Sequence, residues 1–230
     1  MAPPKHEPPP AGSEAAEFRM PAVGWSCDGS SMSTGCSDHV GTVVLLEGPS
    51  DVAAVRAVAA AYGLTPRDHR YELVEMGGVT NIRRHLLAFR AASAPVRVIG
   101  MCDAGEAHYF ARALRIDGDG LHLEAGLADR GFSVCDADLE DELIRAAGPE
   151  RVLGVLGRLG LQGRLATFRR QPAWRDRPVH EQLHRFAGTA SGRKTLLAGA
   201  LAEDLAPSEV PAPLRRLVAA MADGRAVRAG

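Results

Sequence analysis

From residue 42 onward, short apolar segments alternate with segments of helical periodicity. The apolar segments predict four strands, at residues 42–47, 71–76, 97–102 and 131–135. The segments that follow them predict helices, at residues 49–62, 80–92, 104–114 and 139–147. Strands separated by helices of about 10 to 15 residues are typical of βαβ units. The sequence therefore predicts an α/β fold, with a parallel sheet that helices cover on both faces.

The two ends of the chain depart from this pattern. Residues 1–40 are rich in Pro, Gly, Ser and Ala and show no sustained hydrophobic period, which is typical of a disordered tail. After the α/β domain at residues 41–148, the sequence predicts helices alone, at residues 151–160, 180–186, 194–205 and 213–221. We expect them to form an α-helical extension, residues 149–222, that packs on the same domain and is followed by a flexible C-terminus at residues 223–230.

The composition narrows the classes of protein to which this chain can belong. With 230 residues and 46% hydrophobic residues, the chain can bury one sizeable core. Its formal net charge is −1 and it has no long basic run, so any contact with a polyanion must be local. The four cysteines form no CxxC pair, and neither a disulfide framework nor a zinc knuckle is indicated. Without a long apolar stretch or a signal peptide, we expect a cytoplasmic protein with no membrane contact.

Acidic residues stand at the ends of two predicted strands. Glu47 ends the first strand and Asp103 follows the third, at positions where a sequence without a functional site usually has Asn, Ser or Gly. The carboxyl edge of an open α/β sheet is where such folds bind their ligands. Asp51 and Glu106 lie in the first turns of the next helices, where an acid can also serve only as a helix cap. We therefore favour a functional role for Glu47 and Asp103 and leave both roles open for Asp51 and Glu106.

A larger acidic set surrounds these positions. Its members lie near predicted strand ends and helix starts, and they are Glu47, Asp51, Asp103, Glu106, Asp138, Glu140 and Glu142. Oxygen ligands of this kind suit hard cations such as Mg²⁺, Mn²⁺ or Ca²⁺. Two-metal phosphodiester chemistry needs several carboxylates close together. The set therefore predicts a divalent-metal site at the carboxyl edge of the sheet.

Two further features are candidates for binding phosphate. Gly77 and Gly78 follow the second strand, where glycine lets the backbone turn sharply or approach a ligand, and Thr80 or Asn81 can cap the next helix. A plain strand-to-helix turn explains the two glycines equally well. Lys194 is the only lysine outside the N-terminal tail and can neutralise charge on a phosphate, although a surface lysine is the simpler explanation. The surrounding residues 188–195 have the wrong glycine spacing for a P-loop and follow a helix, which argues against an intrinsic ATPase.

Two possible transition-metal sites are less favoured. Residues 180–184 read H-E-x-x-H, the zinc-binding pattern of one class of metalloproteases, but no convincing third ligand follows. We expect a solvated helix face instead. The N-terminal tail holds several side chains that can bind metal, but their spacing fits no common site: Cys27, Asp28, Cys36, Asp38 and His39.

Taken in order, these motifs resemble a Toprim domain, the metal-binding fold of primases, topoisomerases and OLD-family nucleases (overcoming lysogenisation defect). The resemblance is to the Toprim half of the OLD family and covers about residues 41–222. It rests on Glu-Gly-x-x-Asp at Glu47, Gly-Gly-Val-Thr-Asn-Ile at Gly77, Val-Ile-Gly-Met-Cys-Asp ending at Asp103, Asp-Leu-Glu-Asp-Glu-Leu at Asp138, and Gly-Arg-Lys ending at Lys194.

The resemblance implies a Toprim-like Rossmannoid parallel sheet flanked by helices, and a divalent-metal-dependent phosphodiester hydrolase, an endonuclease that acts on DNA. It also implies that Glu47 and Asp51 bind one metal with help from Asp103 and Glu140. Lys194 would assist at the scissile phosphate. The expected cofactor is Mg²⁺ or Mn²⁺, as one ion or two, and Ca²⁺ can occupy the same ligands.

The residue roles that follow from the motifs and the resemblance fall into three groups. The catalytic residues are Glu47, Asp103 and Lys194. The metal ligands are Glu47, Asp51, Asp103, Glu106, Asp138 and Glu140. The phosphate-binding residues are Gly48, Gly77 and Gly78. The family's usual Asp-x-Asp after the third strand is here Asp103-Ala104-Gly105-Glu106, a departure that bears on the second metal and on nicking efficiency.

The expected partners follow from the same resemblance. The ATPase half that normally precedes this domain is not in the sequence, so we expect a free-standing version that works with a separate ATPase partner, and a homodimer is compatible with it. Two alternatives stay open. The substrate can be a nucleotide or a pyrophosphate instead of DNA, or the chain can be a non-catalytic module that serves a partner ATPase.

Overall fold

The computed structural model describes residues 41–92, 95–190 and 192–223. Within them, four strands form one parallel sheet in the order β2-β1-β3-β4. The strands are β1 (Gly41–Leu46), β2 (Tyr71–Glu75), β3 (Val96–Asp103) and β4 (Phe132–Cys135). The four predicted strands and their parallel arrangement are therefore confirmed.

The strand order creates a crevice at the centre of the carboxyl edge. From β1 the chain crosses to β2 on one side, and it then returns to pair β3 with β1 on the other side. In the register, Leu46 lies beside Glu75 and Asp103 beside Cys135, so the strands end along a common edge. Connections that leave two adjacent strands in opposite directions open a crevice between them, and this is where doubly wound sheets bind ligands.

Helices follow each strand and continue to the end of the described chain. They are α1 (Pro49–Ala61), α2 (Ile82–Arg90), α3 (Ala107–Leu114), α4 (Gly120–Asp129), α5 (Leu139–Arg158), α6 (Gln162–Arg169), α7 (Val179–Ala187), α8 (Arg193–Asp204) and α9 (Ala212–Ala222). Neither α4 nor α6 was predicted from the sequence. The helices predicted at 139–147 and 151–160 both lie within α5, whose backbone is interrupted between them: Gly148 has a left-handed φ of 71° with an extended ψ of 157°, and Pro149 follows it.

Both faces of the sheet are buried, because alternate side chains of β1 point to opposite faces and contribute to two different cores. Val44 and Leu46 belong to one core, which also contains residues of α1 and of α5 to α9 and extends to Met221. Val43 and Leu45 belong to the other core, under α2, α3 and α4. The helices after residue 149 therefore share the first core with the sheet.

Helix α8 is the part of the extension that reaches the sheet's first helix. It packs along α1 and against α5. The approach to α1 is close, because a Cβ added at Gly199 would lie 3.5 Å from the Cβ of Ala53. This packing brings the start of α8, with Lys194, to the carboxyl edge of the sheet.

Several predictions concern residues outside the described part of the chain. The tail at residues 1–40 lies there, as do its five candidate metal ligands, Cys27, Asp28, Cys36, Asp38 and His39. All but the first residue of the predicted flexible C-terminus, 223–230, also lies outside. Among the helices that the structure describes, none combines the length and apolar character needed to cross a membrane.

Candidate metal centre

Three carboxylates meet in the crevice between β1 and β3. Glu47 directly follows β1, Asp103 ends β3, and Glu106 ends the single 3-10 turn, Ala104–Glu106, that follows it. One oxygen of each side chain lies within 4.8 Å of the others, and no other group of three ligand side chains occurs in the described residues. We call these residues the acidic triad. Although Glu106 lies one residue later than the second acid of the usual Asp-x-Asp, its carboxylate joins those of Glu47 and Asp103.

The electrostatics of the acidic triad favour a bound cation. Burial, together with a hydrogen bond to Glu106 and its charge, raises the pKa of Glu47 to about 7. Burial and the charges of neighbouring acids, Asp51 foremost, raise the pKa of Asp103 to about 8. Oε2 of Glu106 is buried and has no hydrogen-bond partner among the described residues. Because carboxylates that repel one another and a buried oxygen without a donor both gain from a positive ion, the residues fit a hard divalent cation.

Asp51 has both of the roles that the sequence left open. Its Oδ2 accepts a hydrogen bond of 3.0 Å from the Gly48 N–H, which caps the first turn of α1. It also faces the acidic triad. Burial and the charges of Glu140 and Glu47 raise the pKa of Asp51 to about 6, although the hydrogen bond from Gly48 acts in the opposite direction. Asp51 is therefore a helix cap that also adds negative charge to the site.

Lys194 and Glu140 form an ion pair beside the triad. Lys194 Nζ lies 2.8 Å from Oε2 of Glu140, whose side chain is only 4% exposed. Burial lowers the pKa of Lys194, but the hydrogen bond and charge of Glu140 outweigh this and raise it above its ordinary value. The charge of Lys194 in turn lowers the pKa values of Glu47 and Asp51. The structure therefore places Lys194 among the acids of the site.

Asp138 is held by the start of α5 and by α7. Its Oδ1 accepts a hydrogen bond of 2.8 Å from the Asp141 N–H as the cap of α5. His184 Nε2 lies 2.8 Å from its Oδ2. The charge of Asp138 contributes to the raised pKa of Asp103, so it lies near the acidic triad. Asp138 thus links α7 to the site.

The H-E-x-x-H segment is partly solvated, because its histidine side chains are 36% and 38% exposed but also contact the start of α5. Besides the contact from His184, His180 Nε2 lies 2.6 Å from Oδ1 of Asp141, so both rings pack on the first turn of α5. Glu181 is exposed, and its Oε2 lies 3.6 Å from Nη1 of Arg177. Within the described residues the histidines join no group of three metal ligands. The zinc reading therefore gains no support, and the histidines are site neighbours that the sequence reasoning missed.

The glycine turn after β2 is bound to the end of β1. Gly77 and Gly78 have φ values of 69° and 109°, a region that only glycine adopts readily. The Gly78 N–H donates to the Glu47 carbonyl oxygen at 3.2 Å, next to the acidic triad. The Asn81 side chain donates to the Met76 and Gly77 carbonyls at 3.0 Å each, so it braces this turn and does not cap α2. Phosphate binding by these glycines and by Gly48 stays a prediction.

Comparisons with known proteins find a related sequence family and a similar fold. A family model described as "Overcoming lysogenization defect protein-like, TOPRIM domain" matches residues 41–103. The structure is similar to the C-terminal region of the Burkholderia pseudomallei OLD protein, with a TM-score of 0.60 and 17% identity, over 79% of this chain and 97% of that one. It is also similar to the C-terminal region of the Xanthomonas campestris pv. campestris OLD protein, with a TM-score of 0.58 and 20% identity, over 79% of this chain and 94% of that one.

No curated protein matches the sequence. The family match covers β1 to β3 and includes Glu47 and Asp103, but it ends before Glu106. The structural matches cover about four fifths of the chain and so extend into the helical part. Residues 41–103 therefore match the model of the OLD-like TOPRIM family, in a chain with the fold of the C-terminal regions of OLD proteins.

Proposed function

We propose that this chain is a divalent-metal-dependent endonuclease that hydrolyses phosphodiester bonds in DNA, with Mg²⁺ or Mn²⁺ as its cofactor. The observation that carries the proposal is the acidic triad at the crevice of the sheet. Glu47, Asp103 and Glu106 bring their oxygens within 4.8 Å of one another, and the first two lie in the segment that matches the OLD-like TOPRIM model. A divalent cation in such a site supplies Lewis-acid chemistry for attack on a phosphate and makes water a stronger nucleophile.

The chain's own residues then have distinct tasks. Glu47, Asp103 and Glu106 would hold the cation, with Asp51 close enough to add charge. Lys194 keeps its proton, because Glu140 raises its pKa, and it can stabilise the negative charge that develops on the leaving oxygen. Glu140 would position Lys194 through their 2.8 Å ion pair.

Nicking of supercoiled plasmid in the presence of Mn²⁺ tests the proposal. Glu47→Gln, Asp103→Asn and Lys194→Met should each lower the nicking rate by about 100-fold or more, as expected for loss of a group that stabilises the transition state. The matched control is Asp129→Asn, which removes an exposed acid at the end of α4, and it should nick like the wild type. Unchanged nicking by both Glu47→Gln and Asp103→Asn would overturn the proposal.

The same assays separate the alternatives. Turnover of free nucleotides or pyrophosphate without cleavage of DNA would assign the site to a phosphohydrolase. Lack of cation binding in calorimetry, together with a co-purifying ATPase, would assign the chain to a non-catalytic module.

A further inference from the structure

A large open cleft lies in the helical extension, outside the acidic triad. It has a volume of about 710 Å³ and is formed by α6, the turn after it, α7 and the start of α8. Pockets that bind small molecules and cofactors span about 300 to 1,000 Å³. The cleft is therefore large enough to take one nucleotide unit.

The cleft is positively charged without compensation. Arg164, Arg185 and Arg193 line it, and its lining includes no Asp or Glu in the described part of the chain. None of the ion pairs found in residues 41–92, 95–190 and 192–223 includes any of these three arginines. Burial and the neighbouring charge of Arg164 lower the pKa of Arg193. An anion would relieve this repulsion, and guanidinium is well suited to phosphate.

Aromatic rings form the floor of the same cleft. Trp174 stacks on Phe168 with ring centroids 5.4 Å apart and an interplanar angle of 26°, and Phe168 in turn contacts Phe186 at 5.6 Å. The Arg193 guanidinium lies over the Phe186 ring, 4.0 Å from its centroid. Phe168 and Phe186 are buried, whereas Trp174 is partly exposed. Arginines beside a partly exposed aromatic ring are the combination that binds unpaired nucleic-acid bases and their phosphates.

The position of Trp174 is fixed before any ligand arrives. Gln182 is only 5% exposed, and its Nε2 donates to the carbonyl oxygens of Trp174 at 2.8 Å and of Arg177 at 2.9 Å. These bonds tie the turn between α6 and α7 to α7 itself. A prebuilt stacking surface loses little entropy on binding, which favours a role in recognition.

The cleft adjoins the metal centre at two points of the chain. On α7, His184 contacts Asp138, while the next residue, Arg185, lines the cleft. On α8, Lys194 pairs with Glu140, while the preceding Arg193 lines the cleft. Consecutive Cα atoms lie only about 3.8 Å apart, so the cleft and the groups beside the acidic triad are carried by the same parts of α7 and α8.

We propose that this cleft binds the nucleic-acid strand next to the scissile phosphodiester, with an unpaired base stacked on Trp174 and backbone phosphates bound by the arginines. This inference rests on the proposed endonuclease function and adds a preference for single-stranded DNA beside the cleavage point. It also accounts for polyanion binding by a chain whose formal net charge is −1, because the positive charge is concentrated in one cleft.

Tryptophan fluorescence of the full chain tests the cleft. The chain has two tryptophans, so Trp25→Phe leaves Trp174 as the only one. Titration with single-stranded oligothymidylate in EDTA, where cleavage cannot proceed, should quench Trp174. A duplex of equal length and thymidine monophosphate should bind at least about tenfold more weakly, because neither offers both an unpaired base and several phosphates.

Arg164 and Arg185 are exposed, so replacing both by Gln tests the charge without opening the core. This double variant should bind the single strand about tenfold more weakly, and the slope of log affinity against log salt should fall by about 1.4, that is, about 0.7 for each lost phosphate contact. The control replaces Arg90 and Arg112, two exposed arginines in the last turns of α2 and α3, and should bind like the parent.

Three results would overturn the cleft proposal: no quenching, equal affinity for the monophosphate, or unchanged binding and salt dependence in the double variant. Its failure can be told apart from failure of the proposed function. If the wild type nicks plasmid but the double variant binds the single strand as well as the parent does, only the cleft proposal fails. If the wild type binds the single strand but nicks no plasmid, only the proposed endonuclease function fails.

Discussion

Binding of Ca²⁺ to the acidic triad should release protons, because two of its carboxyl groups hold protons near neutral pH. The pKa of Glu47 is about 7 and that of Asp103 about 8 in the metal-free protein. A cation binds a carboxylate and not a carboxylic acid, so it must displace whatever protons these groups carry. The number released should therefore fall as pH rises and the groups ionise on their own.

The two pKa values set the size of the effect. We expect release of about 1.9 protons at pH 6, about 1.4 at pH 7 and about 0.6 at pH 8. Apparent Ca²⁺ affinity should rise in step, by about 50-fold from pH 6 to pH 7 and about tenfold from pH 7 to pH 8. Isothermal titration calorimetry measures both, since the difference in heat between two buffers of different ionisation enthalpy gives the proton count.

Two variants show which groups supply the protons. Glu106→Gln keeps an oxygen ligand but removes the charge that raises the pKa of Glu47, so proton release at pH 7 should fall below the wild-type value. Asp129→Asn removes a distant exposed acid and should change nothing. Proton release near zero at pH 7, or an affinity that stays constant from pH 6 to pH 8, would refute the reasoning, because the carboxylates would then be ionised before the cation arrives.

Three other perturbations address stability and positioning. The metal-free protein should lose stability as pH rises from about 4 to about 8, because the pKa of Asp103 is about 8 in the folded protein and 3.8 ordinarily. Melting temperatures in EDTA should fall over this range, and they should fall less in Asp103→Asn. A wild-type melting temperature that does not change with pH would contradict the raised pKa. Gly100→Ala should destabilise the protein by about 2 to 3 kcal/mol in urea unfolding, because a Cβ at this position would lie 2.5 Å from a backbone oxygen of the neighbouring strand. Gly154→Ala has open space around it and should stabilise the protein by about 0.5 to 1 kcal/mol. A change of the same sign in both variants would show the packing argument to be wrong. His184→Ala should weaken Ca²⁺ binding about tenfold, because it removes the contact that positions Asp138. The control His122→Ala changes an exposed histidine on α4 and should leave Ca²⁺ affinity unchanged. Equal losses of Ca²⁺ affinity in the two variants would argue against a positioning role for His184.

The sheet and the core of the site could be predicted because their signals are local. Each strand is a short apolar run bounded by turn residues, and such runs separated by helices have few alternatives to a parallel sheet. Glu47 and Asp103 needed only one further step, since the carboxyl ends of parallel strands share an edge. The departure at Glu106 was visible in the sequence, but only the 3-10 turn shows that its longer side chain reaches the other two carboxylates.

The missed features depend on tertiary contacts that leave no local signal. Helix α4 contains Gly120 and Gly126, which weaken helix formation, yet Gly126 packs so closely on Ile116 that a Cβ would meet its side chain at 2.6 Å. The contacts of His180 and His184 cross from α7 to α5 over 39 and 46 residues. Their i, i+4 spacing opposite Asp138 and Asp141 was the one available clue, because both pairs lie on single helix faces.

Helix α8 determines what can count as a minimal form of this protein. Because it packs along α1 from the far end of the described chain, the site gains Lys194 only after segments distant in sequence have come together, which is the slow kind of folding step. A fragment that stops at the end of the TOPRIM match would keep Glu47 and Asp103 but lose β4, Glu140 and Lys194. It would also expose the apolar face of α1 that α8 covers. Such a fragment would be prone to aggregate and would lack the positive charge of Lys194. The helical extension is therefore part of the smallest complete form of the site.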